Sequence, residues 1–277
     1  MASEIQRQEN GTIQLTITIP VEDVKKVEEQ VLEDLVKNAA LPGFRKGKAP
    51  KKLVEEKLDK AKTQEEILKK LLPQAYVKAV EEHNLRPVMN PKIHIEKIES
   101  GKPWQFIALI CEAPKVELGV YKDAVQKITA KQKIIIPGKE DEKKEVKFEE
   151  IMQAVLDTAK IELPQLIVDN EVERMLANLL DDIKRLGLSL DQYLSSTQRS
   201  AESLREEYQK KAVNDLKIEF VLQKIAEMEK ITVSDTEIQE AILNAKTDSE
   251  RANLESNRYL LASILRQQKT LDFLRNL

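Results

Sequence analysis

The chain has 277 residues and a formal charge of −3, with 34% charged and only 4% aromatic residues. Length alone favours two domains, with material for at least one sizeable core. Few aromatics, few glycines and many charges exclude a barrel or sandwich and point to a helix-rich, well-solvated protein. The 41% of hydrophobic residues recur with clear periods, which excludes disorder. No apolar run approaches the roughly 20 residues of a membrane span, and the polar start, residues 1–12, carries no signal peptide. Cys111 is the only cysteine. It is read as a buried, inert thiol in a reducing cytosol.

Residues 12–19 alternate strictly, with Ile13, Leu15, Ile17 and Ile19 on one face, and so predict a half-buried strand. Pro20 precedes a helix over 21–38. Then comes Gly43-Phe44-Arg45-Lys46-Gly47-Lys48-Ala49-Pro50, opened by Leu41-Pro42. Glycines and prolines around one aromatic and three cations describe an exposed loop tip. Six basic residues and no acidic one lie between Leu35 and Val54. Such a tip suits an RNA-rich or acidic surface, with Phe44 as an apolar anchor. The plain alternative is a basic, solvated helix–helix loop.

A short helix is expected over 51–58 and a longer one over 63–83, opened by the capping-box pattern Thr63-Gln64-Glu65-Glu66. Residues 92–98 and 104–113 then read as a hairpin turned at Ser100-Gly101-Lys102-Pro103, the second strand being the more buried. Residues 121–136 read as an extended linker, with Ile134, Ile135 and Ile136 able to pair as a strand. A Gly/Pro turn and a mixed charge run follow over 137–146.

From 147 onward every pattern is helical. Phe148 to Ala159 is one helix, broken at Leu163-Pro164. An apolar stripe (Val168, Val172, Met175, Leu176, Leu179, Ile183, Leu186) ends at Gly187 as a C-cap. Ser189 and Ser234 open capped helices, a long helix covers 201–228, and one last helix runs from about 250 to near the end. Helix-bundle core is the simpler reading of most of these apolar positions.

The octet at 43–50 resembles the docking signature of the trigger factor family of ribosome-associated chaperones. The order strand, helices, hairpin and the exit Pro114-Lys115-Val116-Glu117-Leu118 are similar to that family's ribosome-binding domain. Ile161-Glu162-Leu163-Pro164, Val172-Glu173-Arg174-Met175, Gly187 to Leu194, Val233-Ser234-Asp235 and Thr270 to Leu274 resemble its helical C-terminal domain. The resemblance implies a mainly α protein with a small N-terminal α+β domain, elongated and multi-domain, whose helical part bears arm-like extensions. The domains expected are 1–113 for ribosome binding, 114–146 as extended linker and shortened junction, and 147–277 as the chaperone domain.

Family members carry a peptidyl-prolyl isomerase domain of the FK506-binding type at that junction. Here only Pro137 to Val146 stands in its place, and Gly138 is the single glycine between Gly119 and Gly187. No isomerase activity is therefore expected. The resemblance implies that Gly43, Phe44, Arg45, Lys46, Gly47, Lys48 and Pro50 dock beside the tunnel exit of the large ribosomal subunit, on ribosomal protein and rRNA. Its further partners are nascent or unfolded polypeptides, with a homodimer off the ribosome and no membrane. No cofactor, metal or ATP is expected. His83 and His94 lack ligand spacing, and the octet lacks the strand-to-helix setting and hydroxyl residue of a phosphate loop. A cytoplasmic, ATP-independent holdase is the leading reading; a ribosome-assembly or translation-associated binding factor and a ribosome-independent holdase are the alternatives. No motif assigns residues to the client surface.

Overall fold

The computed structural model describes residues 2–39, 44, 50, 53–54, 59–99, 101–130 and 148–277. The chain divides into two compact units, Met1–Ala113 with Pro164–Leu166, and Pro114–Leu163 with Ile167–Leu277.

The first unit is organised by β2 (Thr12–Ile19). Its alternation puts Ile13, Leu15, Ile17 and Ile19 inward, none more than 3% exposed. A second alternating strand, β4 (Trp104–Cys111), pairs antiparallel with it, Leu15 opposite Ala108 and Ile17 opposite Phe106. β1 (Ala2–Arg7) and β3 (Lys92–Lys97) add on either side, giving the order β1-β2-β4-β3. The expected hairpin of β3 and β4 is present, and β4 is the more buried of the two. β1 falls where the sequence shows only a polar start. With Ile5 as its one large apolar residue it has no alternation to read, and its backbone pairing with β2 makes it a strand.

Helix α1 (Val21–Asn38) lays Val24, Val27 and Val31 on the inner face of the sheet. Helix α2 (Lys60–Glu82) adds Ile67, Leu71, Ala75 and Ala79 at i, i+4 spacing. α2 starts one turn earlier than the capping-box pattern at Thr63 indicates. Asp59 is the N-cap, accepting from the Ala61 backbone N–H at 3.0 Å, and the Thr63 hydroxyl donates back to the Asp59 carbonyl. A carboxylate at the N-cap satisfies an otherwise unpartnered N–H there, so the boundary moves to Asp59. Cys111 is buried, and burial pushes its thiol up to about 11, which keeps it protonated and inert. His83 caps the end of α2, as expected, and accepts or donates a 3.0 Å contact with the Ser3 hydroxyl.

In the second unit β5 (Val116–Glu117) pairs antiparallel with β6 (Lys160–Ile161). Helix α3 (Tyr121–Thr129) corrects the expectation of an extended linker over 121–136. Tyr121, Val125 and Thr129 are spaced four apart, and all three are buried. Leu118, Tyr121 and Val125 pack against Ile151, Met152 and Val155 of α4 (Phe148–Thr158). The phenol of Tyr121 donates to the Glu229 carboxylate at 2.7 Å, and Lys122 pairs with the same carboxylate while lying over the Phe273 ring. The expected strand at 134–136, the Gly/Pro turn and the charge run lie outside the described residues.

The remaining helices are α5 (Gln165–Arg185), α6 (Leu190–Thr197), α7 (Ala201–Met228), α8 (Asp235–Leu243), α9 (Asp248–Ser256) and α10 (Arg258–Arg275). The single last helix expected from about 250 is two, separated at Asn257, whose backbone leaves helical angles at φ −116°, ψ 35° and whose side-chain amide donates to the Asn253 carbonyl. Val168, Val172, Ala212, Leu216 and Phe220 join α5 to α7, and Ile238, Ile242 and Leu261 join α8 to α10. The protein is thus mainly α with a small N-terminal α+β unit.

α8 is capped reciprocally: the Ser234 hydroxyl accepts from the Glu237 N–H, and the Glu237 carboxylate accepts from the Ser234 N–H at 2.8 Å. That carboxylate also meets Lys269 of α10 at 2.7 Å. The Lys269 hydrogen bond first, then the Ser234 contacts, hold its pKa down to about 2. A carboxyl depressed on folding stabilises above its ordinary value and loses that contribution as pH falls toward its folded one. The Glu237→Gln variant, which keeps a capping side chain and drops the charge, is expected to melt below the parent at pH 7. The gap should close as pH falls from about 4.5 to about 2. A constant gap in melts followed at 222 nm would refute the assignment.

Candidate functional site

The basic tip lies between α1 and α2 in sequence. Of the residues singled out there, Phe44 and Pro50 are described, and Gly43, Arg45, Lys46, Gly47 and Lys48 lie outside the described residues. Phe44 is 44% exposed, a large apolar side chain offered to solvent. Pro50 is exposed, and its carbonyl accepts from the Leu53 and Val54 N–H groups at 3.0 and 3.3 Å, the bonds of a helical first turn. Val54 is then 2% exposed while Leu53 is 41% exposed. The expected short helix over 51–58 is described only at Leu53 and Val54, both helical.

The stem under the tip is well tied. Leu35 of α1 packs on the core with Leu68 and Leu72 of α2. Asp34 of α1 meets Lys70 of α2 at 2.6 Å, and that lysine holds the Asp34 carboxyl below its usual range. The pair is solvent-exposed, so it fixes direction more than it adds stability.

A different kind of surface occupies the second unit. α5 ends as its sequence indicates: Gly187 takes φ +73°, its N–H reaches the Lys184 carbonyl, and the Leu188 N–H reaches Ile183. The chain reverses into α6, capped by Ser189 and Gln192, and then into α7, capped by Ser200. This tight α5–α6–α7 turn encloses an apolar groove of about 370 Å³. Leu176, Leu179 and Leu180 form one wall, Leu190 and Leu194 another, and Leu204 the floor, with Glu202 and Arg205 at the rim. Leu186, the last residue of the apolar stripe, is 74% exposed rather than core, and Leu188 and Leu190 are 41% and 37% exposed. The sequence reading named no client residue. Of these three leucines, Leu190 lines the groove, while Leu186 and Leu188 bracket the helix-ending glycine beside it in sequence.

Among the described residues no three His, Cys, Asp or Glu side chains converge as a metal site requires, and no helix is long and apolar enough to cross a membrane. His83 and His94 stand on separate elements, α2's end and β3. Two surfaces thus stand out among the described residues: exposed Phe44 beside the basic stretch of sequence in the α+β unit, and a leucine-lined groove in the helical unit.

Two family models match the chain end to end: the bacterial trigger factor protein over residues 1–147, and the bacterial trigger factor C-terminus over 129–276. The chain belongs to the bacterial trigger factor family, a family of chaperones. A trigger factor of Natranaerobius thermophilus is 37% identical over 122 residues, 44% of this chain and 27% of the relative. One of Pelotomaculum thermopropionicum is 37% identical over 123 residues, 44% of this chain and 28% of the relative. These matches thus span little more than a quarter of either relative. The trigger factor of Carboxydothermus hydrogenoformans is 25% identical over 413 positions, covering 96% of each chain. A solved trigger factor chaperone, studied for promiscuous substrate recognition in folding and assembly, shares the fold with a TM-score of 0.64 at 15% identity, over 100% of this chain and 99% of that one.

The two family models overlap at 129–147, so no interval separates them for an intervening domain. An alignment of 413 positions against 277 residues leaves more than a hundred positions of the Carboxydothermus relative without a counterpart here. This is a trigger factor form without the FK506-binding-type isomerase domain.

Proposed function

We propose that this chain is an ATP-independent, cytoplasmic holdase that docks on the large ribosomal subunit beside the tunnel exit and shields nascent or unfolded polypeptides, without catalysing prolyl isomerisation. The observation that carries this reading is the octet 43–50 on a chain whose two halves both match the trigger factor family. In this reading residues 1–113 dock and the helical unit, from Pro114 through α10, holds clients. Arg45 makes bidentate contacts with carboxylate or phosphate, Lys46 and Lys48 add point charge, Gly43, Gly47 and Pro50 complete the docking octet, and exposed Phe44 inserts into an apolar site on ribosomal protein or rRNA. The α5–α6–α7 groove falls within the ~300–1,000 Å³ of small-ligand clefts and has a rim with one charge of each sign, which suits short apolar stretches of many sequences. Contacts this small release clients without ATP, because hydration of the charged rim competes with each.

Co-sedimentation with purified ribosomes tests the docking step. The parent chain is expected to pellet with a steep salt dependence. The Phe44→Ala/Arg45→Ala/Lys46→Ala variant should lose at least about tenfold in affinity, or ~1.4 kcal/mol, while its far-ultraviolet dichroism stays unchanged. Equal pelleting of both, or of neither, would retire the docking role of 43–50 and favour a ribosome-independent holdase.

A further inference from the structure

The walls of the leucine groove are held with unequal strength. α5 and α7 are joined to each other by Val168, Val172, Ala212, Leu216 and Phe220. α6 has eight residues and buries none of them. Leu190 is exposed, and Tyr193 and Leu194 are half-buried, Tyr193 within electrostatic reach of Tyr208 on α7. The side-chain hydrogen bonds of α6 stay within the element: Gln192 with Ser189, and Ser196 and Thr197 with the Tyr193 carbonyl. A helix shorter than about 12–15 residues is marginal on its own in water. α6 therefore depends on its few apolar contacts and its caps, and it melts when those contacts part.

Both ends of α6 are closed over a left-handed residue. At its entry Gly187 takes φ +73°, and the Leu188 N–H reaches the Ile183 carbonyl at 3.2 Å. At its exit Gln198 takes φ +53°, and the Arg199 N–H reaches the Leu194 carbonyl at 3.0 Å. Each of these bonds spans its left-handed residue and is lost when that residue returns to ordinary angles. Glycine adopts such a conformation without penalty; glutamine does so under strain. The strain at Gln198 persists only while α6 is formed. Beyond it the chain is already fixed, because Arg199 pairs with Glu207 of α7 at 3.1 Å. Leu204, which lines the groove together with Leu190 and Leu194, is 3% exposed.

We propose that α6 is a releasable wall: it opens by local unfolding between Gly187 and Gln198, uncovers Leu204 and turns the cleft into a wider apolar surface. Two short-range leucine contacts set against one strained residue give a wall that yields at small cost while the α5–α7 core stays intact. A fixed cleft selects one size of side chain. A yielding one accepts apolar segments of different bulk, as a holder of many sequences requires. The inference rests on the reading of the groove as a site for unfolded polypeptide and adds the way that site is opened.

The test places one new thiol at a time on the full chain, Leu204→Cys in the groove or Leu216→Cys in the α5–α7 core. Labelling by N-ethylmaleimide is read at each thiol by peptide mass spectrometry, so Cys111 of the other unit is scored apart. Leu204→Cys should label at least about tenfold faster than Leu216→Cys, and the amides of 193–197 should exchange with one common opening constant that matches it. Gly187→Ala meets no atom within 4 Å and adds only the left-handed penalty, so it should speed labelling of Leu204→Cys about fivefold. Gln198→Gly removes that penalty at the other end and should slow labelling about threefold. Equal rates at the two cysteines, or any result but shifts of opposite sign, would overturn the proposal. Gln198→Gly should also suppress aggregation of a chemically denatured test protein less than the parent does. Equal suppression would show that release of α6 does not govern holding; no suppression by the parent would refute the holdase reading and leave the opening of α6 standing on its labelling.

Discussion

Replacing Gly119 with alanine is expected to destabilise the helical unit by about 3 kcal/mol or more. Gly119 sits at φ +57°, where a side chain alone costs about 1–2 kcal/mol. The larger effect is steric. A Cβ built there would lie 2.5 Å from the carbonyl oxygen of Thr158, well inside any tolerated contact. Neither partner is free to retreat. The Thr158 hydroxyl donates to the Leu118 carbonyl at 3.0 Å, and Glu117 pairs with Lys160 in the β5–β6 ladder. Leu118 and Tyr121 on either side are 5% and 3% exposed, fixed in the cluster that joins α3, α4, α7 and α10. Moving Thr158 to make room would pull apart the ladder and that cluster together. In a unit of this size the loss should lower the transition followed at 222 nm by about 10 °C. Trp104, the only tryptophan, belongs to the other unit, so its fluorescence transition should stay near the parent value. An unmoved helical transition would show that the backbone relaxes where the packing says it cannot.

Most of the architecture could be read from the chain because its strongest signals are local. Ile13, Leu15, Ile17 and Ile19 alternate without a break, and Ser189 and Ser234 carry reciprocal caps that mark helix starts to the residue. The misses fall where the deciding contact leaves no mark in the periodicity of the segment itself. β1 has no pattern of its own and becomes a strand because β2 offers it an edge. Residues 121–129 look like linker until Tyr121 and Val125 find Ile151 and Val155, and until Glu229, more than a hundred residues on, accepts the Tyr121 phenol. The last helix divides at Asn257 through a local change of backbone angle that the apolar pattern does not register. The octet at 43–50 stands out as a motif, since glycines, cations and a closing Pro50 around one aromatic are informative without tertiary contacts. The leucine groove does not, because Leu176, Leu179, Leu190 and Leu194 read equally well as bundle core until the α5–α6–α7 reversal brings them together.

Phe106→Ala separates loss of the proposed docking loop from loss of the unit that carries it. Phe106 is 2% exposed at the centre of β4, between Ile17 of β2 and Ile95 of β3. Truncating it removes the transfer energy of a buried aromatic and leaves a cavity the flanking strands cannot close, about 3–5 kcal/mol in all. That is a large share of the ~5–15 kcal/mol available to a domain. Trp104 is the natural probe. It is 4% exposed, two residues away on the same strand, with its indole N–H donating to the Glu99 carbonyl. Its unfolding transition should therefore fall sharply in Phe106→Ala and stay unchanged in the Phe44/Arg45/Lys46 triple variant. Both proteins should pellet poorly with ribosomes at warm temperatures, for different reasons. Cooling below the Trp104 transition should restore pelleting to Phe106→Ala, whose tip is intact, and leave the triple variant unbound. If cooling restores neither, the sheet shapes the docking surface directly; if it restores both, the tip cations carry less of the contact than their chemistry implies.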